Sequence, residues 1–143
     1  MRATSLGFYS YTHLYKGSLL WGQKCSPTFR PNFTRVSPKT RRWKDKDNYY
    51  VARANALENN VSLYHTQGGR RTTIQYVDAP VAANAWHVLR AEFAGTMIRI
   101  ALDGKVYIEV HDTHIAGPGA VGLWTKADSV TAFDDFGYGP SSR

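Results

Sequence analysis

The run Ile98-x-Ile100-x-Leu102-Asp103-Gly104-Lys105-Val106-x-Ile108-x-Val110 constrains the fold more than any other stretch of the chain. Apolar residues alternate strictly on both sides of Asp103-Gly104. Successive side chains of an extended strand point to opposite faces, so each half presents one apolar side. Asp-Gly tolerates the positive φ that a type I′ turn needs at both central positions. The run therefore predicts a β-hairpin with one face to bury, and a lone hairpin cannot bury it. The rest of the sequence after Trp43 supplies the missing sheet. Strands are expected over 48–55, 61–66, 72–77, 86–93, 97–102, 106–111, 121–126 and 130–138. Each is short and rich in Val, Ile, Tyr, Phe or Thr. Turn residues separate them at Asn59-Asn60, Gly68-Gly69, Gly95-Thr96 and Gly117-Pro118-Gly119. A helical turn around 54–58 is the one helical element the pattern allows. Short strands, frequent turns and no helical period indicate an all-β sandwich or barrel.

One stretch does not match. Residues 1–42 hold eight Lys or Arg and no Asp or Glu, whereas the remainder holds ten basic against eleven acidic residues. The arm thus carries the whole excess charge, and the domain over 43–140 is near neutral. The arm has no sustained period, and Pro27, Pro31 and Pro38 interrupt it. Three readings of it stay open. It is a disordered basic tail, a segment read from the wrong frame or start, or an arm for nucleic acid or an anionic surface. In the last, Tyr9, Tyr11, Tyr15 and Trp21 would interleave with the cations. No pattern fixes those aromatics on one face, so nucleic acid is not the expected partner. No apolar run approaches the ~20 residues of a membrane-spanning helix. Residues 5–16 lack the apolar stretch of a secretory signal. Cys25 is the single cysteine, so no internal disulfide is available and thiols do not report the compartment.

Longer motifs add a resemblance. They are Asp47-Asn48-Tyr49-Tyr50-Val51-Ala52-Arg53-Ala54-Asn55-Ala56-Leu57-Glu58-Asn59-Asn60, Trp86-His87-x-Leu89-Arg90, Leu102-Asp103-Gly104-Lys105 and Val121-Gly122-Leu123-Trp124-Thr125-Lys126-Ala127-Asp128-Ser129-Val130-Thr131-x-Phe133-Asp134-Asp135-Phe136. In this order they resemble the laminin G-like, concanavalin A-like jelly-roll domains of bacterial exported proteins, beside the "3-keto-disaccharide hydrolase" superfamily (domain of unknown function 1080). The resemblance spans about 43–139. It implies a two-sheet antiparallel jelly-roll sandwich, an exported (periplasmic or extracellular) protein, and a glycan or disaccharide as ligand. The family has further strands before the Asp-Asn-Tyr-Tyr run. The arm stands in their place, so the sandwich is expected to be incomplete at its N-terminal side.

Alternation also sorts the polar residues. Arg53 and Asn55 fall with Tyr49 and Val51; Arg90 and Glu92 with Trp86 and Val88; Glu109 and His111 with Tyr107; Trp124 and Lys126 with Gly122. A face mixing aromatic rings with planar Arg, Asn and carboxylate groups suits sugars, whose ring faces stack and whose hydroxyls pair. The expected ligand-binding residues are Arg53, Asn55, Arg90, Glu92, Trp124 and Lys126. The plainer alternative for Arg90, Glu92, Arg99 and Glu109 is a cross-strand ladder on a solvated sheet. Trp86 is expected to pack in the core or between the sheets.

Glycoside hydrolysis needs two carboxylates about 5–9.5 Å apart. The Glu-x-Asp-x-(x)-Glu signature of glucanases with this fold is absent. Asp45 and Asp47 sit in a Lys-rich turn, and the adjacent Asp134 and Asp135 should point to opposite faces. Glu92 and Glu109 can meet across strands and are the candidates for a glycoside hydrolase-like enzyme acting on (3-keto-)disaccharides, the alternative to a binding module. No cofactor is expected. His111-Asp112-Thr113-His114 straddles a strand end and shows no third ligand, so it reads as a strand-to-turn passage and not a metal site. Calcium would have to use Asp47, Asn48 or Asp134.

Overall fold

A computed structural model describes residues 14–19, 23–32, 39–117, 119–124 and 130–140. These form eleven strands: β1 (Leu14–Leu19), β2 (Gln23–Asn32), β3 (Lys39–Asp45), β4 (Asn48–Asn55), β5 (Asn60–Gln67), β6 (Arg70–Asp78), β7 (His87–Ala94), β8 (Met97–Leu102), β9 (Lys105–His111), β10 (Gly119–Trp124) and β11 (Val130–Pro140). They make two antiparallel sheets, one of six strands in the order β1-β10-β3-β4-β5-β6 and one of five in the order β11-β2-β7-β8-β9. The two-sheet antiparallel sandwich that the alternation and the resemblance imply is the architecture of the chain.

The Asp103-Gly104 turn forms as its residues require, with φ of +50° and +84°. It joins β8 to β9. Ile98, Ile100, Leu102 and Ile108 turn inward and meet Leu89, Ala91 and Phe93 of β7. From the other sheet come Tyr50, Ala52 and Ala54 of β4 and Val61 and Leu63 of β5. Ala79, Val81 and Ile115 close the cluster at its ends. Period-2 alternation on both sheets thus builds one core between them.

Four expectations change. Residues 54–58 do not form a helical turn. Asn55 ends β4, its Oδ1 accepts from the Leu57 amide at 3.1 Å, and Asn59 takes φ +49° to start β5. An Asx turn replaces the helical bonds. Trp86 is not in the core but 49% exposed. β7 begins at His87, and its inward phase is His87, Leu89, Ala91 and Phe93, which leaves Trp86 outside. Asp134 and Asp135 do not alternate, for both are exposed. Asp135 has φ +49° beside a register shift in β11, and such a bulge breaks the pleat. Finally, the composition break at Trp43 falls inside β3, and β1 and β2 precede it in the two sheets. Ladder bonds are made by the backbone, so a segment without acidic residues can still pair. The prolines of β2 sit where pairing allows them. Pro27 lies where the β7 ladder skips from Cys25 to Thr28 and the β11 register shifts, and Pro31 pairs with Thr131 beyond the last β7 partner, Phe29↔His87. Neither position asks the missing N–H for a bond to β7.

Candidate functional site

The outward face of the six-stranded sheet carries polar residues in two cross-strand rows. Antiparallel register sets Arg53 opposite Ser62 and Ser62 opposite Tyr76. The next row is Asn55, Asn60 and Asp78. Because Val61 and Leu63 face the core, Asn60 and Ser62 must face away from it. Glu58, from the turn between β4 and β5, folds over both rows. Its Oε2 accepts from Asn55 Nδ2 at 2.6 Å and from Asn60 Nδ2 at 3.1 Å, and lies 3.9 Å from the Arg53 guanidinium. Asn60 Nδ2 also meets the Tyr76 hydroxyl at 2.9 Å. Beneath this lid of Glu58 and Tyr76, Asn55, Asn60 and Ser62 are almost fully buried. Two of their atoms, Asn60 Oδ1 and Ser62 Oγ, have no hydrogen-bond partner. Buried polar atoms are normally satisfied, so two orphans in neighbouring outward-facing rows ask for an explanation. Tyr76 exposes half of its surface above them, and farther along the sheet Arg71 lies over the Tyr64 ring at 5.2 Å.

The other charged cluster lies on the outward face of the five-stranded sheet. Arg90 and Glu92 pair directly, Arg99 lies 3.6 Å from Glu92, and Arg99 reaches Glu109 at 2.6 Å. This is a continuous ladder across β7, β8 and β9. Each carboxylate is held by a guanidinium, and Glu109 raises the Arg99 pKa further. Glu92 and Glu109 do meet on one face, but with Arg99 between them. That cation contacts both carboxylates, so neither stands apart from a guanidinium. The plain ladder describes these four residues. Glu92→Gln is expected to lower stability by about 1–2 kcal/mol, because Glu92 is buried between two cations, while Glu109→Gln stays within error in a urea melt.

The six residues expected to bind ligand therefore do not share a face. Arg53 and Asn55 stand on the six-stranded sheet, and Arg90 and Glu92 on the other. Trp124 stands in β10 of the same sheet as Arg53 and Asn55, its backbone in register with Lys39. Lys126 lies outside the described residues. Alternation assigns inside and outside within a strand, but both sheets of a sandwich have an outside. Only strand order separates the two groups. Glu58, Asn60, Ser62 and Tyr76 form a group that alternation within single strands does not single out. The signal was available in Asn60-x-Ser62-x-Tyr64-x-Thr66, polar against Val61-x-Leu63, joined to β4 by a turn short enough to fix Asn55 opposite Asn60.

A third cluster sits at one end of the core. His65, Asp112 and His114 each offer a ligand atom within 4.8 Å of the others. The third ligand absent from His111-Asp112-Thr113-His114 comes from β5. His111 is not part of it, as its Nδ1 meets Thr96 Oγ1 at 2.9 Å. Of the oxygen ligands that calcium would use, Asp134 lies on the other sheet from the turn that holds Asp47 and Asn48.

No protein-family model and no curated protein matches the chain. Solved structures do. The carbohydrate-binding module CBM66 from Bacillus subtilis superimposes with TM-score 0.78 at 22% identity, over 87% of this chain and 78% of that one. Galectin-Ib from Xenopus laevis superimposes with TM-score 0.73 at 13% identity, over 92% of this chain and all of the galectin. A GH43 protein from Bacillus licheniformis gives TM-score 0.64 at 13% identity, but only 27% of its length is matched. The fold is the two-sheet antiparallel β-sandwich that these structures share with the chain.

Proposed function

We propose that this chain is a carbohydrate-binding module, and that its contact surface is the outward face of β4, β5 and β6 around Arg53, Glu58, Asn60, Ser62 and Tyr76. The observation that carries the reading is the pair of unpartnered buried atoms, Asn60 Oδ1 and Ser62 Oγ, under the Glu58–Tyr76 lid. An acceptor and a hydroxyl side by side suit the hydroxyls of a sugar. Displacing Glu58 would release the Asn55 amide as a donor and take one of two partners from Asn60 Nδ2. Tyr76 offers an exposed ring for the apolar face of a pyranose or furanose. A planar guanidinium, carboxylate and amides at fixed cross-strand spacing select hydroxyl geometry where unbranched chains would not. The likeness in fold to a carbohydrate-binding module and to galectins supports the same reading, as does the sequence resemblance to jelly-roll domains of exported bacterial proteins. On that resemblance the ligand is met outside the cytoplasm.

An array of plant and bacterial polysaccharides, xylan among them, followed by calorimetry on the hits, tests the proposal. Arg53→Ala and Tyr76→Ala are each expected to weaken binding about tenfold or more, with circular dichroism unchanged. Arg99→Ala, on the opposite sheet, should leave affinity as it is. Binding that survives Arg53→Ala and Tyr76→Ala but is lost in Arg99→Ala would place the site on the ladder instead. The resemblance to the 3-keto-disaccharide hydrolase superfamily makes turnover the competing outcome. It requires hydrolysis that disappears in Glu92→Gln or Glu109→Gln.

A further inference from the structure

We propose that His65, Asp112 and His114 form a binding site for a divalent transition-metal cation of the zinc class. The three groups come from two places that only the fold unites: β5, and the loop that follows β9. His65 is buried, and its Nδ1 has no hydrogen-bond partner. Its ring stacks on that of His114 with centroids 4.0 Å apart and planes 15° from parallel. Burial and then His114 push the His65 pKa below its ordinary value, against the pull of Asp112. Asp112 is fixed from behind. Its Oδ1 accepts from the Tyr50 hydroxyl and, at 3.0 Å, from the His114 amide. Tyr50 is itself held by the Ile115 amide at 3.0 Å. Burial disfavours the Asp112 carboxylate, but the Tyr50 hydroxyl and the His114 contacts outweigh it and lower the pKa.

The arrangement has the parts of a metal site with a supporting shell: two imidazoles, a carboxylate, and a hydroxyl that orients the carboxylate. Zinc holds nitrogen and oxygen at about 2.0–2.2 Å, so tetrahedral ligand atoms stand roughly 3.4 Å apart. The three atoms here lie within 4.8 Å of one another and must close by about an ångström. His114 is the group that can move. Its side chain is half exposed, and its Nδ1 contact with Asp112 Oδ2, at 2.8 Å, opens when the ring turns out of the stack. Asp112 Oδ2 and the imidazole then share the cation, while Oδ1 stays with Tyr50. The fourth position faces water on the His114 side. Two nitrogens and one oxygen favour zinc, cobalt, nickel or copper over calcium and magnesium.

The test uses the full chain, dialysed against EDTA and then titrated with Co²⁺ by visible absorption and with Zn²⁺ by calorimetry and thermal melting. One equivalent of Zn²⁺ is expected to bind and raise Tm, and Co²⁺ should show the d–d bands of a low-coordinate site. His114→Ala is the first variant, since its side chain is exposed and its loss leaves the core alone. It should weaken Zn²⁺ about tenfold or more while the metal-free Tm stays near that of the parent. Asp112→Asn should weaken Zn²⁺ likewise. His111→Ala should not, which separates the site from general histidine adsorption. Ca²⁺ should give no response. Absence of a one-equivalent Zn²⁺ isotherm and of a Tm rise overturns the proposal, and so does affinity unchanged in His114→Ala.

Discussion

Asp103→Ala is expected to lower the stability of the sandwich by about 3–4 kcal/mol in a urea titration. Asp103 joins the β8–β9 turn to the start of β7. One carboxylate oxygen accepts from the Val88 amide at 2.8 Å, and the other meets His87 Nδ1 at 2.7 Å. His87 is buried, and its second ring nitrogen meets the Ala82 carbonyl at 2.9 Å. Removing the carboxylate takes one partner from a buried imidazole and one from a backbone amide, each worth about 1–1.5 kcal/mol. It also puts alanine at φ +50°, which costs about 1 kcal/mol because Cβ then crowds the backbone, a position Asp tolerates better. Asp103→Asn separates these contributions. It tolerates the same φ and keeps one acceptor, so about half the loss is expected. A loss below 0.5 kcal/mol in the alanine variant would show that the turn is held by its backbone alone.

That turn also marks what sequence could and could not reveal. Its geometry, the strands around it and the inward set Ile98, Ile100, Leu102, Leu89 and Phe93 all follow from alternation, because a pleated strand with one buried side must repeat every two residues. β4 and β8 fall on their predicted bounds. The strands before Trp43 were illegible for a physical reason. β2 carries Pro27 at an interruption of its ladders and Pro31 beyond its last β7 partner, so its sequence has the punctuation of a loop while its backbone pairs. The candidate surfaces were half legible. Periodicity identified Arg53 and Asn55 as outward, and also Arg90 and Glu92, but it cannot say that two outward faces belong to different sheets. The His65 site depends on a contact between residues nearly fifty positions apart, created when Tyr50 and His65 pair across β4 and β5 and the loop after β9 closes over them. Local spacing carries no trace of that.

The same Tyr50 gives the second large effect. Tyr50→Phe is expected to destabilise the metal-free protein by about 2–4 kcal/mol although it removes a single oxygen. The ring stays in the core beside Phe93, with centroids 5.9 Å apart, so no cavity larger than the hydroxyl opens. What is lost is a junction. The Tyr50 hydroxyl accepts from the amide of buried Ile115 and donates to the Asp112 carboxylate. An amide left unpaired in the interior costs about 1–3 kcal/mol, and a charge-assisted bond contributes about 1.5 kcal/mol or more. The pH dependence distinguishes this account from loose packing. The folded-state pKa of Asp112 is lowered from 3.8, with the Tyr50 hydroxyl the strongest of the groups that lower it. A depressed carboxyl contributes stability that is full above its unfolded value and lost as pH falls through its folded value. Phenylalanine removes part of that contribution, so in EDTA the gap between parent and variant should be widest near neutrality and narrow below pH 3.8. A gap independent of pH would mean that the hydroxyl acts through Ile115 alone. The same variant should weaken Zn²⁺ about tenfold, because the carboxylate then loses the group that aims it.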